Sequence, residues 1–415
     1  MEDDAQPQEP QRQREGTLRE VISYFLRLGF TAFGGPAAHI AMMREEVVQR
    51  RKWVSDQRFL DLLGVINLIP GPNSTELAIY LGYERAGWLG LVAAGVCFIG
   101  PAMAIVLALA WAYVHYGAAP QIGWLLYGIK PVVIAIIVQA FVGLARTAMK
   151  GVVAVALAIA IIALYLFNVN TLLLLFGGAL AYWLVTMGRR RWAGGTTLTV
   201  GLPAISVAGW LRGAGARLAA SPLASAGTLA ATTSVAATPI SVTTLFLTFL
   251  KIGALLYGSG YVLLAFLRTD FVQRLGWLSD RQLLDAVAIG QFTPGPLFTT
   301  ATFVGYLVAG WQGALIATLG IFLPSFVYIA LFWPVASWLR RATWSATLLD
   351  GLNIAALALM AGVGVQLGHA ALVDTVTIGV AIIALVILLR WKINSAWLIL
   401  AGAAVGLLAH LFGVA

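Results

Sequence analysis

A glycine between two prolines, set inside a long apolar run, leaves backbone N–H groups without helical partners in the middle of a hydrophobic segment. This chain carries the device twice, at Pro70-Gly71-Pro72 and Pro294-Gly295-Pro296. A half-helix starting after the second proline presents unpaired N–H groups and the positive end of its dipole, which is chemistry for holding an anion. Side-chain donors surround both motifs. Asn73, Ser74 and Thr75 follow the first, Thr299 and Thr300 follow the second, and the amides Asn67 and Gln291 stand three residues ahead. The plain alternative is that both motifs only kink helices for packing.

A second pair of breaks lies upstream, Phe33-Gly34-Gly35-Pro36 and Tyr257-Gly258-Ser259-Gly260. Glycines there allow either close helix packing or local unwinding. In the functional reading these breaks face the Pro-Gly-Pro breaks and complete a cavity, with Gly34 and Gly35 on one side and Tyr257 and Ser259 as donors on the other. Ionisable groups inside apolar segments are costly and so are candidates for function. His39 is either a neutral, hydrogen-bonded core residue or a proton carrier or anion ligand. Glu76 lies four residues past the first Pro-Gly-Pro and is matched by Thr300, which would confine a proton role to one half. Lys251 and its aligned Arg27 either snorkel or act on the anion. Arg44 and Arg268, with Glu45 beside the former, read as an anion funnel or as lipid-headgroup anchors. Asp61 and Asp285 are expected to cap or charge the start of the helix leading into each motif.

The elements that must position these residues come in duplicate. Sliding the first half forward by 224 positions lays Gly29 on Gly253, Arg44 on Arg268, Trp53 on Trp277, Asp61 on Asp285 and Thr75 on Thr299. A one-residue gap then lays Gly82 on Gly305, Trp88 on Trp311, Pro101 on Pro324 and Gly128 on Gly351. Such a register is a tandem duplication. The expected organisation is a disordered tail (1–16), a first repeat (17–187), a cytoplasmic linker (188–240) rich in Gly, Ala, Ser and Thr, and a second repeat (241–415).

Hydrophobic residues make up 60% of the 415, charged residues 10%, and mean hydropathy is +0.89, more apolar surface than a soluble core buries. The runs lack period-2 alternation, which excludes an outer-membrane barrel. An all-α integral membrane protein follows. The net charge of +9 sits in short clusters between apolar runs, so it reads as loop anchoring by the positive-inside rule and not as a nucleic-acid surface. Aligned loops carry opposite charge patterns: Arg146 and Lys150 against the stretch from His369 to Asp374, and Arg390-Trp391-Lys392 against Asn168-Val169-Asn170. That pattern predicts repeats of inverted topology. Inversion needs an odd number of crossings, whereas each repeat has six apolar segments, in the first near 20–43, 59–83, 87–116, 124–146, 152–167 and 170–187. The Pro-Gly-Pro segment is therefore expected to be re-entrant, leaving about five spans per repeat and both termini on the non-cytoplasmic side.

Inverted repeats with broken helices are transporter architecture. None of the five lysines is preceded by glycine and followed by Ser or Thr, so there is no Walker A loop and ion gradients must drive transport. For a dianion the membrane potential alone supplies about 4–5 kcal/mol per 100 mV outward. A membrane enzyme is disfavoured: Ser259 lacks a histidine in reach, and no metal-ligand cluster occurs. No cofactor or metal is expected, and the lone Cys97 excludes disulfides within the chain.

Phe33-Gly34-Gly35-Pro36 with His39, then Arg44-Glu45-Glu46-Val47, Trp53, and the run from Asn67 to Thr75 through Pro70-Gly71-Pro72, with Gly82-Tyr83, resemble the chromate ion transporter family in its two-domain, long-chain form. The resemblance covers nearly the whole chain. It implies a multi-pass exporter in the bacterial inner membrane that lowers cytoplasmic chromate and confers resistance, driven by the proton-motive force. Its partners would be chromate, protons and the lipid bilayer. Sulfate is the alternative oxyanion, a passive channel the alternative mode, and a homodimer an allowed assembly. The second half departs from the pattern where Gly260 replaces the proline and Leu263 the histidine.

Overall fold

A computed structural model describes residues 11–116, 120–193, 239–257, 260–339, 343–391 and 393–412. Ser259 and most of the expected linker lie outside them. The described residues are helical, without strands. The first repeat holds α1 (Gln11–Thr31), α2 (Gly35–Arg44) continued by a π-helical turn (Glu45–Arg50), α3 (Asp56–Ile66), α4 (Asn73–Tyr116), α5 (Pro120–Ala148), α6 (Val152–Leu166) and α7 (Thr171–Ala193). The second holds α8 (Val242–Leu255), α9 (Leu263–Leu267) continued by a π turn (Arg268–Arg274), α10 (Asp280–Phe292), α11 (Thr300–Leu339), α12 (Thr343–Ala371), α13 (Thr375–Arg390) and α14 (Ser395–Leu411). Five of these helices are long and apolar enough to cross a membrane, and four shorter ones are apolar.

The Pro-Gly-Pro segments are hairpins. α3 runs inward, and α4 first runs back beside it, so that Arg58 near the start of α3 meets Glu84. At Ala86–Gly87 (φ 62° at Gly87) α4 folds and sets out across the membrane; Ala309–Gly310 (φ 62° at Gly310) folds α11 in the same way. Only glycine adopts this conformation without strain. Trp88 and Trp311 follow the folds and are exposed, as aromatic residues at a membrane boundary commonly are. The cap of α3 is Ser55, which accepts from the Arg58 amide, and that of α10 is Ser279, which accepts from the Gln282 amide. Asp61 and Asp285 therefore do not take the capping role expected of them.

The segment at each glycine break also folds back. Tyr24 of α1 reaches Met42 and stacks edge-on with Trp53, and Arg85 pairs with Glu20 while lying over Trp53. The start of α1 thus shares a face with the ends of the first Pro-Gly-Pro hairpin. In the second repeat Lys251 meets Asp270 and Arg274 meets Thr248, the same antiparallel arrangement. Each repeat contributes two hairpins whose tips turn back inside the helical bundle, followed by longer apolar helices. This corrects the expectation that residues 20–43 cross and that α1 begins opposite the basic loop.

Contacts fix the inversion. Thr171 and Gln273's partner Asn168, at the turn before α7, bond to Thr269 and Gln273 of the second repeat's π turn. The second repeat's hairpins therefore enter from the face opposite to those of the first. Arg50, Arg51, Lys52, Arg58, Arg85, Arg146, Lys150 and Arg390 gather on one face, called the basic face below. The chain leaves α7 there and enters α8 at the other.

Candidate functional site

The hairpin tips of the two repeats meet and brace one another. Gly71 of the first Pro-Gly-Pro donates its N–H to the carbonyl of Leu256, at the end of α8, across 2.8 Å. Gly295 of the second donates to the carbonyl of Ala32, after α1, also across 2.8 Å. Ala32 and Leu256 are themselves matched positions. Each motif's freed N–H is thus satisfied by the glycine break of the other repeat, which supplies what a backbone at that depth requires.

Beside the tips lies a cavity of about 710 Å³. From the first repeat it is lined by Gly34, Gly35 and Pro36, and by Asn67, Pro72, Asn73 and Ser74; from the second, by Tyr257, Tyr261, Pro296, Leu297 and Phe298. Its walls toward the basic face are Gln139, Gly143 and Thr147 of α5 and Asp350 and Asn353 of α12. The start of α4 borders it, so the dipole end expected to favour an anion is at the site. Among the described residues, no Lys, Arg or His belongs to the lining. Asn73 donates to Asn67 Oδ1 across 2.8 Å, which orients both amides at the rim.

The expected binding residues Gly34, Gly35, Asn67, Asn73, Ser74 and Tyr257 are brought together here. Pro70, Gly71 and Gly295 stand behind the lining, in the braces. Thr299 and Thr300 turn their hydroxyls onto the carbonyls of Pro296 and Leu297, both at 2.8 Å. Thr75 is fully buried, and Gln291 lies outside the lining, its side chain against Tyr261.

Among the ionisable candidates, His39 is buried, with Nε2 3.1 Å from the Ala32 carbonyl and Nδ1 3.5 Å from Ser74 Oγ. It ties the glycine break to the Pro-Gly-Pro tip within the first repeat. Glu76 is fully buried; its carboxyl packs against Gly71 and faces the Ser325 hydroxyl of the second repeat, and no basic side chain pairs with it among the described residues. An unpaired carboxylate is costly at such a place. The other charges lie away from the cavity, in pairs. Arg44 bonds to Asp56 and Arg268 to Asp280, each at 2.8 Å; Glu45 bonds to Arg50, and Lys251 to Asp270. No group of three or more metal-ligating side chains occurs among the described residues.

Sequence reasoning missed Gln139, Thr147, Asp350 and Asn353, polar residues near the ends of long apolar helices. It also missed Lys130 of α5, whose ammonium lies 3.0 Å from Asp285 of α10, while Tyr113 donates to the same carboxylate across 2.8 Å. A lysine in an apolar span was itself a signal.

A family model described as "Chromate transporter" matches the chain twice, over residues 19–183 and 243–407. The chromate transport protein of Cupriavidus metallidurans is 32% identical over 405 residues, covering 95% of this chain and 94% of the relative. The probable chromate transport protein of Synechococcus elongatus is 32% identical over 388 residues, 91% of each chain, and the chromate transport protein of Pseudomonas aeruginosa 32% over 398, covering 93% and 91%. No solved structure matches the chain.

Proposed function

The chain belongs to the chromate transporter family, and from that premise we propose that it is a secondary transporter exporting chromate across the bacterial inner membrane, with the proton-motive force as its energy source and chromate resistance as its consequence. The observation that carries the reading is the meeting of four hairpin tips, two from each face, around one cavity at the middle of the membrane. Broken helices meeting at that depth are what a transporter uses to hold an ion away from both solutions.

The basic face is taken as cytoplasmic by the positive-inside rule. The cavity then extends toward the cytoplasm, the side from which an exporter loads. With no basic side chain among the described residues of its lining, and with the Asp350 carboxyl on the wall toward the basic face, binding relies on the start of α4 and on neutral donors from Asn67, Asn73, Ser74 and Tyr257. Such a site is selective for shape and hydrogen bonding, and chromate and sulfate share both. Gly34 and Gly35 keep the wall close to the backbone. Glu76 is the proton carrier in this reading: Tyr257 and Tyr328 of the second repeat flank it, His39 is joined to its helix through Ser74, and none of these supplies a fixed positive charge.

The test is uptake of labelled chromate into everted membrane vesicles, energised and then uncoupled, with sulfate as competitor. Protein-dependent, uncoupler-sensitive accumulation is expected. Rapid sulfate flux without chromate accumulation would replace the substrate, and flux indifferent to uncoupler would replace the energy source.

A further inference from the structure

The internal duplication assigns a counterpart to every wall of the cavity. Asn353, which lines it toward the basic face, corresponds to Lys130; Asp350 corresponds to Tyr127, and Gly143 to Gln366. These counterparts belong to the opposite half of the membrane, where an inverted repeat would build a mirror-image cavity. Among the described residues no mirror-image polar cavity is open there: Val133, Ile134, Ile137, Leu264, Leu367 and Ala371, the partners of other cavity-side positions, are buried, and the cleft of about 420 Å³ beside Ile134, Ile137 and Gly364 is walled mostly by apolar side chains. Among the described residues of this half, Gln366 Oε1 lacks a hydrogen-bond partner and Asp285 Oδ1 is held only by its ion pair with Lys130. Buried polar atoms without partners are rare and point to a surface that is wetted in another conformation. Asn353 is exposed to the open cavity, whereas the Lys130 side chain is 18% exposed and Asp285 6%.

We propose that Lys130 is the oxyanion ligand of a second, closed half of the pathway, on the face opposite the basic one, and that Asp285 occupies its ammonium until a dianion takes that place. An anion leaving the open cavity passes from neutral donors to this ammonium, with the Tyr113 hydroxyl beside it as a further donor. The exchange of one carboxylate for a tetrahedral dianion keeps the ammonium paired in both conformations. The inference rests on the chain being an oxyanion transporter.

The test compares full-length wild type with Lys130→Gln, Asp285→Asn, the double variant and Lys130→Arg, by chromate binding to purified protein and chromate flux in proteoliposomes. The double variant removes both charges together and so avoids a lone buried ion. It is expected to bind chromate within about twofold of wild type while moving it at less than a tenth of the rate. Asp285→Asn is expected to raise uncoupled exchange several-fold. Flux near wild type in the double variant would overturn the proposal and leave the pair a structural one. If the double variant fails to fold, Lys130→Arg decides: retained flux supports a cation that meets the anion, and flux as low as in Lys130→Gln at equal protein recovery overturns it. Should wild type itself carry no chromate, the substrate reading fails separately, and the same variants are read with labelled sulfate.

Discussion

At the first Pro-Gly-Pro tip the Glu76 carboxyl and the Ser325 hydroxyl lie against Gly71; at the second, the place of Ser325 is taken by Ala102, whose methyl faces Gly295, and the place of Glu76 by Thr300, turned onto its own backbone. Asn73 and Ser74 are matched by Leu297 and Phe298, and His39 by Leu263. The backbone around them is nearly the same in both repeats: each glycine donates to the opposite break, each long helix folds at an Ala-Gly pair with matching dihedrals, and an arginine where each π turn joins its helix pairs with an aspartate twelve residues on. Duplication kept the mechanical parts, while the polar chemistry became concentrated on one tip. A site read from one repeat alone would therefore be assigned either too much function or none.

The comparison is broken most directly at Glu76. Glu76→Gln is expected to lower uncoupler-sensitive chromate accumulation at least tenfold while chromate exchange across vesicles persists, and Thr300→Val to stay within about twofold of wild type; equal losses in the two would mean that the tips share the coupling role. Next come the glycines, both at positive φ, 136° at Gly71 and 95° at Gly295. A methyl at Gly295 would stand 2.6 Å from the Ala102 methyl, which has nowhere to go, whereas at Gly71 it meets the movable end of Glu76. Gly295→Ala should thus cost about 2–4 kcal/mol and Gly71→Ala about 1–2, read by thermal unfolding in detergent. His39→Leu makes the first repeat like the second. The Ala32 carbonyl and Ser74 lose a partner, for an expected cost of about 1–2 kcal/mol and a few-fold drop in flux. A similar loss from Leu263→Ala would show packing, not polarity, to be what matters there. The smallest effect is expected where the repeats agree: Ser55→Ala and Ser279→Ala should each cost about 1 kcal/mol, since both hydroxyls cap equivalent helices.

Much of this was legible beforehand. Proline placement announces the re-entrant hairpins, and the opposed loop charges announce the inversion, because both are local signals. The hairpin of α1 and α2 was not, since residues 20–43 form one apolar stretch of spanning length and Gly34-Gly35-Pro36 allows packing as readily as reversal. The reversal is decided by Tyr24, Trp53 and Arg85, which meet only in three dimensions. Lys130 and Asp285 likewise lie 155 positions apart. Asp285, near the start of a helix, invites the reading of a cap until its partner is known. The polar lining from Gln139 to Asn353 went unnoticed because single polar residues near helix ends are common in any membrane protein.

The paired bonds from Gly71 to Leu256 and from Gly295 to Ala32 carry a consequence for how the protein is made. A first repeat emerging alone from the ribosome has its Gly71 amide at the centre of the bilayer with no complement, a deficit of several kcal/mol, and its Ala32 carbonyl held by His39 alone. It remains an unfinished object, open to proteases, until the second repeat has been threaded in from the opposite side. Biogenesis of this chain is therefore a clasp that closes last, and severing the gene between the repeats would yield two fragments that persist only when synthesised together.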